Sequence, residues 1–309
     1  MIPEPVNLSR FDPQTLRLFL LAARALNLTR AADHAHMTLS ALSKRISELE
    51  KQIGCELFIR RARGLELTPA GHALVEHAQL VIAAVSRLTS DMNAYSAGLR
   101  GQVRIWANTS SVIQFLPGDL AAFSRAHPAI RLSLDEKLSH EIITALTQER
   151  IDIGIFADNI PSGLVEKYFY RHDQLVVLVP RGHPLGKRKR IRFAQVLDND
   201  FVGLSDGSSL QVRMQDAALA AGKTLRLRVQ VSSFDAICRM IEAGLGVGLL
   251  PLEAVRSEII GKGLHALPLE DEWGQRTLYV GVRNAAGLKP DAQRLLDFLK
   301  QAHAQVNQG

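Results

Sequence analysis

Near the N-terminus, small hydroxyls and cations share one side of a predicted helix. At 100° per residue, the side opposite the apolar residues carries or is flanked by the polar residues Ser40, Ser43, Lys44, Arg45, Ser47 and Lys51. Hydroxyls can hydrogen-bond to bases or phosphates, and lysine or arginine can pair with guanine edges or neutralise phosphates. The pattern favours a helix that lies in the major groove of double-stranded DNA, and an ordinary solvated helix face is the alternative.

A second group of cations follows in a short hairpin pattern. Leu57 and Phe58 lead into an arginine-rich tip over residues 60–63, and Gly64 turns the chain back towards Leu65. Such a wing could straddle the DNA backbone beside the helix. The predicted DNA-binding residues are Arg30, Thr38, Ser40, Ser43, Lys44, Arg45, Ser47, Arg61 and Arg63.

Hydroxyl-rich segments in the remainder of the chain follow predicted strands or precede predicted helices. Unpaired backbone amides at helix N-termini favour anions, so these segments are candidates for binding a small molecule. The predicted effector-binding residues are Thr109, Ser110, Ser111, Ser139, Ser205, Asp206, Ser232, Ser233 and Phe234. The alternative for each position is a helix cap, which needs no ligand.

The spacing of apolar residues indicates the elements that position the first group. Steps of three and four residues predict helices over 13–26 and 39–53, and Gly54 ends the second of them. Between them, Thr29 is predicted to be the N-cap of a short helix over 30–36. Together with the hairpin, this order of elements is typical of a winged helix-turn-helix.

Thr68 and Pro69 then open a long helix whose apolar residues recur at heptad spacing. The seam consists of Leu74, Ala78, Val81, Val85, Leu88, Met92 and Tyr95. Three heptads are about enough for a coiled coil, and a helix of roughly 28 residues would be about 42 Å long. The seam favours a homodimer that presents two DNA-reading helices, although packing along its own chain would need the same stripe.

Beyond a predicted hinge at Gly98 and Gly101, strands and helices alternate. The strands are predicted over 103–106, 130–134, 151–156, 175–179, 201–204, 227–231, 247–250 and 277–282, and the helices over 116–126, 142–149, 236–243 and 290–304. The alternation predicts a parallel α/β sheet with right-handed crossovers, arranged in two units. A cleft between two such units is a common position for a small-molecule site.

In this order and spacing, the motifs resemble those of the LysR-type transcriptional regulators over essentially the whole chain. The resemblance is densest at Ala31-Ala32, residues 40–46 (SALSKRI), Leu49-Glu50, Gly54, residues 57–60 (LFIR) and residues 67–71 (LTPAG). It implies an effector domain similar to periplasmic binding proteins, in which the chain crosses twice between subdomains, here near 169–173 and 271–276. It also implies a tetramer built from dimers. Members commonly carry glutamine just before the reading helix, where this chain has Leu39, so base readout is expected to rely on phosphates, DNA shape or neighbouring hydroxyls.

The predicted fold class is α/β overall, in three parts. A winged helix-turn-helix domain is expected over 1–68 and a coiled-coil linker helix over 69–99. A two-subdomain effector-binding domain follows over 100–309, with subdomain I formed by 100–173 and 276–309 and subdomain II by 174–275. A chain of 309 residues with 47% hydrophobic content can bury sizeable hydrophobic cores in two or more domains.

Other motifs do not support catalysis. Gly244, Gly246 and Gly248 follow a helix and precede a strand, the reverse of a dinucleotide-binding turn. Residues 182–187 are one residue short of a phosphate-binding loop, and the basic run over 187–192 is interpreted as solvated, with a subunit or DNA contact as the alternative. The ten histidines form no metal-ligand pattern. We therefore expect no cofactor, no metal and no enzymatic activity.

Composition gives information on the cellular compartment and the partner of the protein. Two cysteines, Cys55 and Cys238, give no disulfide framework, although Cys238 lies near the predicted cleft and is a candidate for thiol sensing. There is neither a signal-peptide pattern nor an apolar run long enough to span a membrane, so a cytoplasmic protein is expected. The formal charge of +6 suits a polyanionic partner.

The sequence thus favours a transcriptional regulator that binds double-stranded DNA and responds to a small, possibly anionic effector. The chain is expected to form a homodimer and a homotetramer, and RNA polymerase is a further expected partner. Two other functions stay open at this stage: a small-anion binding protein that does not bind DNA, and an enzyme that uses the α/β cleft.

Overall fold

The computed structural model describes residues 12–61, 64–96, 102–255 and 263–306. The chain divides into two compact units. The first unit contains the N-terminal helices, the hairpin and the long helix, and the second contains the α/β sheet.

The N-terminal unit is a winged helix-turn-helix followed by a long helix. Its elements are α1 (Pro13–Ala25), α2 (Leu28–His34), α3 (Leu39–Ile53), β1 (Phe58–Arg61), β2 (Gly64–Leu67) and α4 (Pro69–Ser96). Phe19, Leu42 and Leu49 are fully buried where α1, α3 and the hairpin meet. The predicted boundaries of α3 are confirmed, including Gly54, which ends the helix at φ 84°.

The start of α2 differs from the sequence prediction. Asn27, and not Thr29, is the N-cap, because the Asn27 side chain accepts a hydrogen bond from the backbone amide of Arg30 at 3.1 Å. The helix therefore begins two residues earlier than predicted. Asparagine and threonine both cap helices well, so a local pattern with both residues does not decide between them.

Close backbone contacts fix the wing against its neighbours. The backbone amide of Leu65 donates to the carbonyl of Leu26 at 2.8 Å. Gly64 lies at φ 134°, and a Cβ at this position would be 2.6 Å from the Leu26 oxygen, so no larger residue fits without movement. At the start of α4, Gly71 packs in the same way against the carbonyl of Leu57. The LTPAG motif therefore anchors the long helix to the wing.

The apolar seam of α4 changes its environment along the helix. Ala78 is buried within the N-terminal unit. Val81, Val85, Leu88 and Met92 are exposed by 40%, 37%, 60% and 52%. The first part of the seam thus packs along its own chain, whereas the second part leaves large apolar side chains in solvent. The side chain of Tyr95 and the predicted hinge glycines 98 and 101 lie outside the described residues.

The C-terminal unit is an α/β domain. Its strands are β3 (Gln102–Ala107), β4 (Arg131–Glu136), β5 (Ile153–Ala157), β6 (Glu166–Val179), β7 (Phe201–Leu204), β8 (Leu227–Val231), β9 (Gly248–Pro251), β10 (His265–Pro268) and β11 (Gln275–Val282). Its helices are α5 (Thr109–Gln114), α6 (Leu116–Ala126), α7 (Ser139–Thr147), α8 (Ser209–Ala220), α9 (Phe234–Glu242) and α10 (Pro290–Val306). Two large hydrophobic clusters form its main cores, one for each of the two expected subdomains.

The sheet is mixed, whereas the alternation of elements predicted a parallel one. Strands β3, β4 and β5 are parallel, as are β7 and β8. Strand β11 is antiparallel to both β5 and β6, and β6 is antiparallel to β9 and β10. The sheet is mixed because β6 and β11 run in opposite directions. The local sequence pattern predicts strands but not the direction in which each strand runs.

Strands β6 and β11 make the two predicted crossings. Residues 166–174 of β6 pair with β11, while residues 175–179 pair with β9 and β10. In this register Arg276 lies opposite Asp173. One continuous strand of 14 residues therefore joins the two cores.

Candidate functional site

A groove in the N-terminal unit brings together several predicted DNA-binding residues. The groove has a volume of about 710 Å³ and lies between α2, the start of α3 and the hairpin. Thr38, Ser40 and Ser43 line it from the α3 side, and Arg60 and Arg61 line it from the wing. Hydroxyls thus face guanidinium groups across a concave surface, an arrangement suited to a phosphate backbone.

The start of α3 presents hydroxyls and one apolar side chain. The hydroxyl of Thr38 accepts a hydrogen bond from the amide of Ala41 at 3.3 Å and lies 3.2 Å from the hydroxyl of Ser40. Leu39 is 45% exposed and lines the groove. The exposed end of a helix with unpaired backbone amides favours phosphate. Leu39 adds an apolar surface that can contact a thymine methyl group.

Arg60 also lines the groove, although it is not among the DNA-binding residues predicted from the sequence. Its Nη2 atom donates to the hydroxyl of Ser43 at 3.3 Å, which ties the wing to α3. Arg61 pairs with Glu66 at 2.9 Å, and both side chains are more than half exposed. Such an exposed pair contributes only about 0.2–1 kcal/mol, so Arg61 can leave it for a phosphate at low cost.

Arg45 has a structural partner. Its Nε atom donates to the hydroxyl of Thr15 at 2.8 Å, and Nη2 lies 3.5 Å from the Asp12 carboxylate, so this guanidinium holds α3 against the start of α1. Lys44 and Arg30 are exposed, and Ser47 is half-buried. Arg63, the remaining predicted contact, lies outside the described residues.

In the C-terminal unit, the crossing strands bury an ion pair. The guanidinium of Arg276 on β11 bonds to one carboxylate oxygen of Asp173 on β6, at 2.9 Å from Nε and 2.6 Å from Nη2. Nη2 also donates to the hydroxyl of Ser110 at 2.5 Å. The two charged side chains are 0% and 1% exposed. Ser110, a predicted effector residue, is therefore tied to the crossing.

A second ion pair lies beside the first and joins the two halves of the domain. Asp158, which follows β5, accepts from Arg213 on α8 and from the backbone amide of Thr277. Arg213 also donates to the carbonyl of Trp273 at 3.3 Å. Burial lowers the pKa of the Arg213 guanidinium, and the Asp158 carboxylate opposes this shift. Neither pair is among the residues predicted from the sequence, because the partners are 55 and 103 residues apart in the chain.

The predicted effector residues on the β3 side have different environments. Thr109 donates to Glu136 at 2.5 Å. Ser111 is fully buried and bonds to the side chain of Asn108, the N-cap of α5. Ser139 is also buried, and its hydroxyl accepts from the amide of Ala157 at 3.3 Å. Ser111 and Ser139 therefore already have structural hydrogen-bond partners.

The predicted effector residues on the β7 side are more exposed. Asp206 accepts from Gln230 at 2.9 Å, and Ser205 donates to the carbonyl of Val231 at 3.4 Å. Ser232 is exposed and Ser233 caps α9. Phe234 is 2% exposed and packs in the hydrophobic core of its half, so its side chain serves packing.

The two halves also meet near Gly207, in the loop between β7 and α8. A Cβ at Gly207 would be 3.2 Å from Leu138, which precedes α7. Nearby, the side-chain amide of Asn159 donates to the carbonyl of Ser209 at 2.9 Å. The loops after β5 and β7 and the segment before α7 therefore lie close together where the two halves meet.

Family models match both units. The model described as "Bacterial regulatory helix-turn-helix protein, lysR family" matches residues 13–72, and that described as "LysR substrate binding domain" matches residues 96–304. The fold and the match define a DNA-binding transcriptional regulator with an effector domain. The chain belongs to the LysR family.

A sequence relative and two solved structures are similar to this chain. The RuBisCO operon transcriptional regulator of Allochromatium vinosum is 27% identical over 292 residues, which cover 94% of this chain and 96% of the relative. Full-length CbnR in complex with its target DNA has a TM-score of 0.65 at 20% identity, with coverage of 94% and 99%. The CcmR regulatory domain of Synechocystis PCC6803, solved in complex with 2-PG, has a TM-score of 0.59 at 25% identity and covers 66% of this chain and 97% of its own.

The described residues contain no group of three histidine, cysteine or acidic side chains placed to hold a metal ion. They also contain no helix that is long and apolar enough to cross a membrane.

Proposed function

We propose that this LysR-family regulator binds double-stranded DNA with the first two turns of α3 and the wing. The observation that carries the assignment is the groove in which Ser40 and Ser43 on α3 face Arg60 and Arg61. Hydroxyls and guanidinium groups on opposite sides of a groove can hold a phosphate strand while the exposed face of α3 lies against base edges. Lys44 on that face adds a cation near the bases. Thr38 and Leu39 complete the end of α3, and Arg30, Ser47, Arg45 and Arg63 stay predicted contacts.

We further propose that the protein acts as a homodimer, and as a tetramer built from dimers. The exposed seam residues Val81, Val85, Leu88 and Met92 support the dimer, since large apolar side chains at heptad spacing are stabilised by a second helix. A two-fold dimer would present two α3 helices to neighbouring grooves on one side of the duplex. RNA polymerase is the expected partner in transcription, and the cytoplasm is the expected location.

The effector is proposed to bind between the two halves of the C-terminal unit. Polar atoms that are buried without a partner within the described residues support this position: Oδ1 of Asp173, Nη1 of Arg276, Nε of Arg213 and Oδ1 of Asn159. Leaving such atoms unpaired costs about 1–3 kcal/mol each. They include donors and acceptors, so the matching effector is a small anion that also carries a hydroxyl or an amino group. We place subdomain I over 100–173 and 276–309, and subdomain II over 174–275.

Regulation follows if the effector binds one arrangement of the two halves more tightly than another. Arg213 and Asp158 lie on opposite halves, so an anion that competes for Arg213 changes the contact between them. The protein acts through this binding equilibrium and not as an enzyme. The match of both units to a family of regulators supports this view.

The DNA assignment is tested with purified full-length protein and a labelled duplex. We expect Lys44→Ala and Arg61→Ala to weaken binding and to lower its salt dependence, because each removes a phosphate or base contact. Arg17→Ala is the matched control, since Arg17 is exposed on α1 and does not line the groove. Unchanged affinity in both groove variants, or an equal loss in the control, contradicts the assigned surface.

A further inference from the structure

A short segment outside the DNA-reading unit carries a large local excess of positive charge. The chain contains 37 lysines and arginines against 31 acidic residues, an excess of six. The twelve residues 181–192 contain six lysines and arginines and no acidic residue. Their charge equals the net charge of the chain, because cations and acids are equal in number over the remaining residues. This basic segment joins β6 to β7 in the C-terminal unit. Its charge needs a physical explanation that α3 and the wing do not supply.

The basic segment is anchored to the domain core. Leu185 packs against the hydrophobic core of its half, and Ile191 is fully buried. The backbone amide of Ile191 donates to the carbonyl of Pro268 at 3.1 Å, and the carbonyl of Ile191 accepts from the backbone amide of Glu270 at 3.0 Å. Lys187, Lys189 and Arg190 are exposed between these anchors. The structure therefore holds the cations on a fixed base, which reduces the entropy lost when they bind a partner.

The exposed cations of the segment differ from other surface cations of the same half. Arg226 and Arg228 both lie 3.6 Å from Asp200, and Lys223 lies 2.8 Å from Asp198. In the segment, Arg192 pairs with Glu270 and Arg188 donates to Gln195. Within the described residues, no carboxylate forms an ion pair with Lys187, Lys189 or Arg190. Three adjacent cations thus repel one another, and a polyanion relieves that repulsion.

We propose that the basic segment is a second contact surface for the phosphate backbone of double-stranded DNA. Residues 187–190 expose only lysine and arginine, which suffice for phosphate contacts. The centre of a protein interface is instead depleted of charge and enriched in aromatic side chains. A DNA molecule held by α3 is also present at high effective concentration for a second site in the same assembly. The contact is independent of base sequence and adds affinity for DNA that extends beyond the operator.

The test compares two double variants of the full-length protein on a fluorescein-labelled duplex of 40 base pairs and mixed sequence. Lys189→Gln with Arg190→Gln removes two cations of the segment. Arg125→Gln with Arg131→Gln is the matched control, because these residues are equally exposed on α6 and β4. Fluorescence anisotropy gives the slope of log affinity against log salt concentration, and circular dichroism verifies that both variants are folded.

Each lost phosphate contact lowers this slope by about 0.9, so the segment variant should lose about 1.8 and the control nothing. Between about 50 and 200 mM salt, a slope difference of that size changes the relative affinity about 12-fold. An equal effect in the control overturns the proposal, because net charge alone then explains it. An unchanged slope in the segment variant also overturns the proposal, and a changed sedimentation coefficient would then assign the segment to a protein contact.

Discussion

The buried ion pair of the crossing strands makes a strong prediction about stability. Replacing Arg276 by methionine keeps much of the side-chain volume but leaves Asp173 in the interior without its cation. The carboxylate is 1% exposed, and its contacts at 2.6 and 2.9 Å come from that one guanidinium. Removing one partner of a buried pair costs about 3–5 kcal/mol, because the remaining charge is neither solvated nor paired. Ser110 loses its bond to the guanidinium as well.

The assay is urea unfolding followed by tryptophan fluorescence. Both tryptophans of the chain, Trp106 and Trp273, lie in the C-terminal unit, so the signal reports that unit. With a slope of about 2 kcal/mol per molar urea, the midpoint should fall by about 1.5–2.5 M.

A double variant separates the loss of the pair from the loss of packing. Arg276→Met combined with Asp173→Leu removes both charges, and it should recover most of the lost free energy of unfolding. Arg294→Met is the control, because Arg294 pairs with Asp291 at the surface and should cost less than about 1 kcal/mol. If Arg276→Met costs no more than this control, or if the double variant loses the sum of both single losses, the pair does not stabilise the crossing strands in this way.

Three further predictions concern other parts of the chain. Leu88→Glu should weaken the dimer, seen as slower-sedimenting species at low protein concentration, and an unchanged distribution would exclude the α4 seam as the interface. Gly64→Ala should lower the stability of the N-terminal unit by about 1–3 kcal/mol in thermal unfolding, because its Cβ would meet Leu26 and φ is positive; equal stability would contradict the wing geometry. Burial, and then the charge and hydrogen bond of Asp119, raise the pKa of Tyr170 in the folded protein. Its contribution to the free energy of unfolding is therefore complete below about pH 10, and it is lost as the pH rises further, because the tyrosine then ionises in the unfolded chain. Tyr170→Phe should therefore unfold with a weaker pH dependence between about pH 9 and 11, and an unchanged dependence would contradict the burial.

The sequence predicts the helices of this protein better than its sheet. Apolar periodicity locates α3 and the start of α4 because each helix buries one stripe, and Gly54 gives a local stop signal. The same patterns do not predict the strand directions, because β6 pairs with β9, β10 and β11, which all lie far from it in the sequence. Such pairings are set by the tertiary fold and leave little local trace.

The same distinction holds for the sites. Hydroxyls and cations of α3 are recognisable because the helix repeats them on one face, whereas the role of Arg45 depends on its contact with Thr15, 30 residues away. The pairs of Arg276 and Arg213 were missed for the same reason. One signal was available: Arg276 and Asp173 are charged residues next to strongly apolar strand sequence, and buried charges need partners.

Genome-wide footprinting with purified protein shows directly whether this regulator reads DNA with α3 and the wing. We expect discrete protected sites with two related half-sites, centred one helical turn or a multiple of it apart. The sites should be lost for the combined Lys44→Ala and Arg61→Ala variant and kept for Arg17→Ala. The absence of protection at every low-salt condition would rule out DNA binding, and protection that persists unchanged in the combined variant would rule out α3 and the wing as the DNA-binding surface.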